Sequence, residues 1–139
     1  PEAQQLIRVT RECFFEGAKA ARAGGYVSDI SRAVEAHALR YGYGVVRELT
    51  GHGIGRRMHE EPSIPNYVEP RAGRGARLLP GMTLAVEPMI NLGGREVECL
   101  ADGWTVVTRD GSLSAHYENT IAVTEGEPLI LTLLPEETV

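Results

Sequence analysis

The segment from Gly51 to Pro62 most constrains the fold, because it places two histidines among closely spaced glycines. Three glycines fall within residues 51–55, and glycine weakens helices while permitting tight turns and close backbone approach. We therefore expect His52 to be presented from a turn or an irregular strand. A neutral imidazole binds transition metals and carries protons near neutral pH, so His52 and His59 are candidate functional residues. A histidine flanked by glycines is more often a structural turn residue, so this segment alone assigns no function.

The composition indicates an ordinary globular domain. Its 42% hydrophobic and 24% charged residues, within a length of 139, suit one domain with a hydrophobic core. The net charge of −5 gives no reason to expect nucleic acid as a partner. Cys13 and Cys99 are too few and too distant for a disulfide framework or a thiolate zinc cluster, which favours free thiols in a reducing cytosol. Without a long apolar run or a cleavable signal, we expect a cytoplasmic protein with no membrane partner.

Two amphipathic helices are predicted at the start of the chain. The first runs from about Glu2 to Ala23 and ends at Gly24-Gly25. Its small or apolar side chains recur at spacings of three and four: Leu6, Ile7, Thr10, Cys13, Phe14, Gly17, Ala18 and Ala21. The second runs from about Asp29 to Tyr41, with Ser28 as its N-cap. His37 lies at the margin of the second apolar stripe, so we expect a packed helix residue without a catalytic role.

Strands are predicted in the second half of the chain. The strand pattern occurs in three segments: Met82 to Glu87, Trp104 to Thr108 and Ala115 to Thr124. Leu129 to Leu134 is a last apolar run. Residues 69–81 are predicted to form an exposed loop with solvated arginines, and Asp110-Gly111 a hairpin turn. Pro135 begins an acidic tail. Because helices precede strands, the class is α+β with a mostly antiparallel sheet, in a single domain over residues 1–139.

Glu87 and Glu118 are the candidate metal-binding carboxylates. Each falls at a strand position whose neighbours on the same face are small or polar. A carboxylate inside a sheet is costly unless a cation or a donor neutralises it. With His52 they supply one imidazole and two carboxylates, ligands suited to zinc, manganese, cobalt or iron(II). Periodicity alone also allows two surface carboxylates at strand ends, so both interpretations stay open at this point.

Five motifs together resemble the type I methionine aminopeptidase family. In chain order they are Gly51-His52-Gly53-Ile54-Gly55, His59-Glu60-Glu61-Pro62, Ala85-Val86-Glu87-Pro88-Met89, Asp102-Gly103-Trp104 and Ser114-Ala115-His116-Tyr117-Glu118-Asn119-Thr120. The resemblance covers nearly the whole chain. It implies the C-terminal half of the pita-bread fold, with two N-terminal helices packed on a mostly antiparallel sheet. It also implies removal of the initiator methionine from nascent polypeptides by two divalent metal ions (cobalt, manganese, iron or zinc).

The resemblance also implies a role for each matched side chain. Three residues match metal ligands: His52, Glu87 and Glu118. Glu118 matches the bridging carboxylate, and Glu87 a ligand that also moves protons. His59 matches the histidine that contacts the scissile carbonyl of the substrate and stabilises the tetrahedral intermediate. Met58 and Trp104 match part of the pocket for the methionine side chain, although many relatives carry an aromatic residue where Met58 stands.

The resemblance leaves part of the family's site unmatched. It implies that two aspartate ligands and another histidine belong to a segment preceding Pro1. We therefore expect the isolated chain to be inactive, and to self-associate through apolar surface normally covered by that segment. Two alternatives stay open: an Xaa-Pro aminopeptidase or prolidase, and a catalytically inactive fragment or binding module. Residues 58–62 and 117–120 favour the methionine-specific branch, and the three retained ligands argue against a binding module.

Overall fold

The computed structural model describes residues 1–134, in which two helices pack against antiparallel sheets. The elements are α1 (Glu2–Ala20), α2 (Val27–Leu39), β1 (Gly44–Val45), β2 (Gly51–Gly53), β3 (Glu60–Ile64), β4 (Thr83–Val86), β5 (Met89–Asn91), β6 (Val97–Cys99), β7 (Val106–Thr108), β8 (Ser114–His116), β9 (Asn119–Ala122) and β10 (Leu129–Ile130). Within the described residues, neither helix has the length and apolar character needed to cross a membrane. The predicted acidic tail from Pro135 lies outside them.

The strands form three sheets. The largest has the order β10-β9-β4-β2-β3, a second has the order β1-β5-β8, and β6 pairs with β7 alone. Every pairing between these named strands is antiparallel. The α+β class with a mostly antiparallel sheet is therefore confirmed. β4 and β5 are separated by only two residues but belong to different sheets, so the chain changes sheet at Glu87-Pro88.

The helix α1 forms as predicted but ends at Ala20, three residues before the predicted end. The chain then turns through Gly24, whose φ of 85° suits glycine. One member of the predicted apolar stripe is wrong, because Ile7 is 61% exposed while Val9 is fully buried. The buried face is therefore rotated slightly from the face that the sequence pattern indicates.

The helix α2 forms with a different cap from the one predicted. The cap position is Tyr26 rather than Ser28, and the Tyr26 backbone N–H donates to the Asp29 carboxylate at 2.8 Å. This carboxylate satisfies a free donor at the helix start, a position where negative charge is also favoured by the helix dipole. His37 contacts Glu12 of α1, with 2.9 Å between Nε2 and Oε2. That contact agrees with the prediction of a packed helix histidine.

The predicted strand from Ala115 to Thr124 is wrong as a continuous element. β8 pairs with β5, whereas β9 pairs with β4 and β10, so the chain changes sheet between them. At the change, the Tyr117 backbone N–H donates to the Pro88 carbonyl at 3.2 Å. Alternating side chains continue through both strands, so the periodicity does not reveal the break. Consequently Glu118 follows the end of β8 and lies outside any strand.

The hairpin prediction at Asp110-Gly111 is also wrong. These residues connect β7 to β8, and those strands belong to different sheets. The hairpin instead joins β6 to β7 and turns at Asp102-Gly103, where the Asp102 carboxylate accepts the backbone N–H groups of Trp104 and Thr105. A turn sequence therefore identifies a reversal of the chain, but it does not establish that the flanking strands pair.

The core lies where α1 packs against both α2 and β4. A Cβ atom at Gly17 would lie 2.7 Å from Val34 Cγ2 and 3.3 Å from Ile30 Cγ2, so glycine permits α1 and α2 to pack closely. The largest fully buried side chains include Phe14, Leu6, Ile30, Ile64, Leu78, Leu84, Ile90 and Ile121. β4 runs through this core with Leu84, Ala85 and Val86 fully buried. The residue that follows, Glu87, is thus fixed to the best-packed part of the chain.

Candidate metal centre

The glycines around His52 allow β2 to fit between β3 and β4. A Cβ atom at Gly51 would overlap the carbonyl oxygen of Ala85 in β4, and one at Gly53 would overlap the carbonyl oxygen of Glu61 in β3. The pairing with β3 also shifts register between His52 and Gly53. The prediction of an irregular strand is therefore confirmed, and the absence of side chains at both flanking positions is what permits it.

The backbone next to His52 fixes which ring nitrogen faces the site. His52 Nδ1 lies 2.9 Å from the Gly53 carbonyl oxygen, and a carbonyl only accepts, so Nδ1 carries the hydrogen. In the neutral ring, Nε2 then has a free lone pair and lies 3.3 Å from Glu87 Oε1. Two acceptors at this distance repel unless a proton or a cation lies between them. This arrangement of a histidine held through its second nitrogen is typical of metal ligands.

Glu87 is held through its backbone as well as its side chain. The buried Asn66 side chain, which is 1% exposed, donates its Nδ2 hydrogen to the Glu87 carbonyl at 3.1 Å. The Glu87 side chain is only 13% exposed. A largely buried carboxylate needs a compensating positive charge or donor, and both oxygens of Glu87 face imidazole nitrogens. Sequence patterns gave no indication of the Asn66 contact, because it joins the segment after β3 to the residue that follows β4.

Glu118 completes the cluster from the segment between β8 and β9. One ligand atom each of His52, Glu87 and Glu118 lies within 4.8 Å of the others, and Glu118 is the exposed member. Two carboxylates this close repel when both are ionised, and a divalent cation offsets that repulsion. One imidazole nitrogen and two carboxylate oxygens fit zinc, manganese, cobalt or iron(II). The structure thus brings together the three residues predicted to be ligands.

His116 joins this cluster, although its place in the sequence pattern indicates no role for it. Its Nε2 atom lies 3.3 Å from Glu87 Oε2. The pKa of His116 is raised, chiefly by the interaction with Glu87, against a smaller lowering by partial burial; the charge of Glu118 also raises it. The pairing of His116 with Met89 places it beside Glu87. Only knowledge of that pairing would have revealed the contact.

Of the three residues predicted to bind substrate, His59 adjoins the cluster, whereas Met58 and Trp104 are exposed. The His59 ring lies 4.3 Å from the His52 ring, measured between centroids, so His59 does adjoin the cluster. Met58 is 70% exposed and Trp104 is 87% exposed, the latter beside the β6–β7 turn. Within residues 1–134, no hydrogen bond, ion pair or ring contact joins Met58 or Trp104 to the three ligand candidates. The methionine pocket therefore stays a prediction.

The helices packed on antiparallel sheets and this cluster of one histidine and two glutamates define an α+β scaffold with donors suited to a divalent metal. The chain belongs to metallopeptidase family M24, whose model matches residues 1–125. The predicted family resemblance is confirmed. Because the family consists of metallopeptidases and the cluster offers suitable donors, both observations support the use of a divalent metal.

Three of the similar proteins are named methionine aminopeptidase. A methionine aminopeptidase of Clostridium perfringens is 51% identical over 133 residues, which span 96% of this chain and 53% of that protein. One of Clostridium acetobutylicum is 52% identical, over 95% of this chain and 52% of that protein. The crystal structure of methionine aminopeptidase from Rickettsia prowazekii superposes with a TM-score of 0.88 at 46% identity, covering 94% of this chain and 52% of that one. The chain therefore spans about half the length of these relatives.

Proposed function

We propose that this chain carries three metal ligands of a cytoplasmic methionine aminopeptidase, which removes the N-terminal methionine from nascent polypeptides. The observation that carries the proposal is the convergence of His52, Glu87 and Glu118 within 4.8 Å. Similarity of about half the residues to proteins named methionine aminopeptidase supports the substrate class. We propose that the complete enzyme uses two divalent ions (cobalt, manganese, iron or zinc), which His52, Glu87 and Glu118 would hold together with further ligands supplied from outside this set.

The side chains divide the chemistry between them. Divalent ions in hydrolases polarise a carbonyl group and lower the pKa of water. Glu87 accepts a proton from the attacking water, a role suited to a largely buried carboxylate that faces two imidazoles. His59, whose ring adjoins that of His52, donates a hydrogen bond to the developing oxyanion of the substrate. The Gly53 carbonyl keeps His52 in the tautomer that presents Nε2.

A prolidase or Xaa-Pro aminopeptidase is the alternative enzyme on this scaffold. The prolidase from Pyrococcus furiosus superposes with a TM-score of 0.71 at 21% identity, which is a likeness of fold alone. The higher identity to methionine aminopeptidases, 46% for the Rickettsia prowazekii structure, favours the methionine-specific assignment. A binding module without catalysis is the second alternative, and retention of the three converging ligand candidates argues against it.

A peptide panel tests the assignment. Met-Ala-Ser and an Xaa-Pro peptide are offered with manganese or cobalt to the chain, and to a longer protein that contains it. We expect methionine release in the longer protein, and its loss together with bound metal in Glu118→Ala. Glu125→Ala, which removes an exposed carboxylate outside the cluster, is the matched control and keeps the activity. Preferential Xaa-Pro cleavage would support the alternative enzyme, and metal binding without cleavage would support the binding module.

A further inference from the structure

We propose that His116 is a positioning residue, which holds Glu87 by donating a hydrogen bond from Nε2 to the carboxylate oxygen Oε2. The inference rests on the proposed metal-binding function of the cluster. It assigns different tasks to the two histidines that flank Glu87: His52 offers a lone pair to a cation, and His116 offers a hydrogen to Glu87.

The distances support this division. His52 Nε2 lies 3.3 Å from Glu87 Oε1, and His116 Nε2 lies 3.3 Å from Glu87 Oε2, so each oxygen faces one imidazole. His52 in its neutral form cannot donate from Nε2, because its hydrogen is on Nδ1 and bonds to the Gly53 carbonyl. His116 is therefore the histidine able to donate to Glu87 while His52 binds a metal. Groups that orient ligands in this way commonly influence metal affinity.

Strand pairing holds His116 at this position. β8 pairs with β5, and the register places His116 opposite Met89, two residues after Glu87. The Tyr117 backbone N–H donates to the Pro88 carbonyl at 3.2 Å and closes the same corner. Glu87 follows β4 of the five-stranded sheet, while His116 ends β8 of the three-stranded sheet. The contact between the two side chains therefore fixes the carboxylate across the junction of two sheets.

Because His116 is about half exposed, its positioning role can be tested by substitution without disturbing the fold. Its side chain is 47% exposed, whereas that of Glu87 is 13% exposed. Replacing a half-exposed rim residue removes little buried surface, so the fold should remain intact. A glutamine amide at this position can still donate a hydrogen bond, whereas a leucine of comparable size cannot. The pair His116→Gln and His116→Leu therefore isolates the hydrogen bond.

Two measurements on the 139-residue chain test the proposal. The first is the long-range proton–nitrogen NMR spectrum of the metal-free chain at alkaline pH, where imidazoles are neutral. We expect His116 to carry its hydrogen on Nε2 and His52 on Nδ1. A His116 ring protonated mainly on Nδ1 would overturn the proposal. This result decides the matter whether or not the isolated chain binds metal, because the proposed function is tested separately by methionine release in the longer protein.

The second measurement is a cobalt(II) titration followed by calorimetry and visible absorption. We expect His116→Leu to weaken cobalt binding about tenfold and to shift the absorption bands, while His116→Gln stays within about threefold of the parent. Ser114→Ala, two residues away on the same strand, is the control and leaves binding unchanged. Circular dichroism should show all three variants folded. Parental cobalt affinity in folded His116→Leu, or equal losses in the leucine and glutamine variants, would refute the positioning role.

Discussion

The most informative perturbation of the site's scaffold is Gly51→Ala, a change of one methyl group. A Cβ atom at Gly51 would overlap the carbonyl oxygen of Ala85 and lie 3.2 Å from Ile64 Cβ. Ala85 and Ile64 are both fully buried, so neither can move aside without disturbing the core. The strand that carries His52 must therefore shift away from β4.

The expected change in the free energy of unfolding of Gly51→Ala combines effects of opposite sign. Overpacking a tight site costs about 1–3 kcal/mol, and strain on the hydrogen bonds between β2 and β4 adds about 1 kcal/mol for each bond lost. Replacing glycine by alanine returns about 0.4–1 kcal/mol by restricting the unfolded chain. With one such bond lost, we expect a net loss of about 2 kcal/mol, a substantial part of the roughly 5–15 kcal/mol that stabilises a typical domain.

Urea unfolding followed by circular dichroism measures this loss as a lower midpoint with an unchanged slope. Gly126→Ala is the matched control, because a Cβ atom there would meet nothing within 4 Å. We expect its unfolding free energy to change by less than about 1 kcal/mol. Equal midpoints for Gly51→Ala and the parent would refute the explanation for the glycines around His52.

Three further expectations concern the core. Burial raises the pKa of Cys13 to about 12, so a thiol reagent should label only the exposed Cys99 in the native chain and both cysteines in urea; labelling of two thiols without denaturant would contradict this. Because that pKa lies above the ordinary thiol value of 9.0, the unfolded state loses its proton first. The contribution of Cys13 to stability is thus present below about pH 9 and declines toward pH 12, and Cys13→Ala should show a shallower alkaline decline in unfolding free energy than the parent. Phe14→Ala should lower the free energy of unfolding by about 3–5 kcal/mol, because it leaves a cavity where Phe14 is fully buried and its ring lies 5.5 Å from that of Tyr117. The same urea assay measures this loss, with Phe15→Ala as the partly buried comparison. A loss for Phe14→Ala no larger than that for Phe15→Ala would contradict the prediction.

Local patterns were sufficient to predict both helices and the strands β4, β7 and β10. The spacing of three and four defines α1, and the alternation from Met82 to Glu87 marks β4. They failed where the outcome depends on pairing between distant segments. The alternation from Ala115 to Thr124 continues across the corner between β8 and β9, and nothing local distinguishes that corner from a straight strand.

The candidate site, like the fold, was predicted only where local sequence carries the signal. The glycines around His52 indicate close backbone approach from the sequence itself. The cost of placing Glu87 and Glu118 on strands suggested a cation, although Glu118 lies just beyond β8 and is exposed. The contacts of His116 and Asn66 with Glu87 could not be predicted, because each brings together residues more than twenty positions apart.

The central claim is that His52, Glu87 and Glu118 bind one cation between them. The direct measurement is a crystal structure of the zinc-soaked chain, with zinc located by its anomalous scattering. We expect an anomalous peak at about 2.0–2.2 Å from His52 Nε2 and from one carboxylate oxygen of each glutamate. A zinc peak bound elsewhere, with these three side chains left without metal, would contradict the claim.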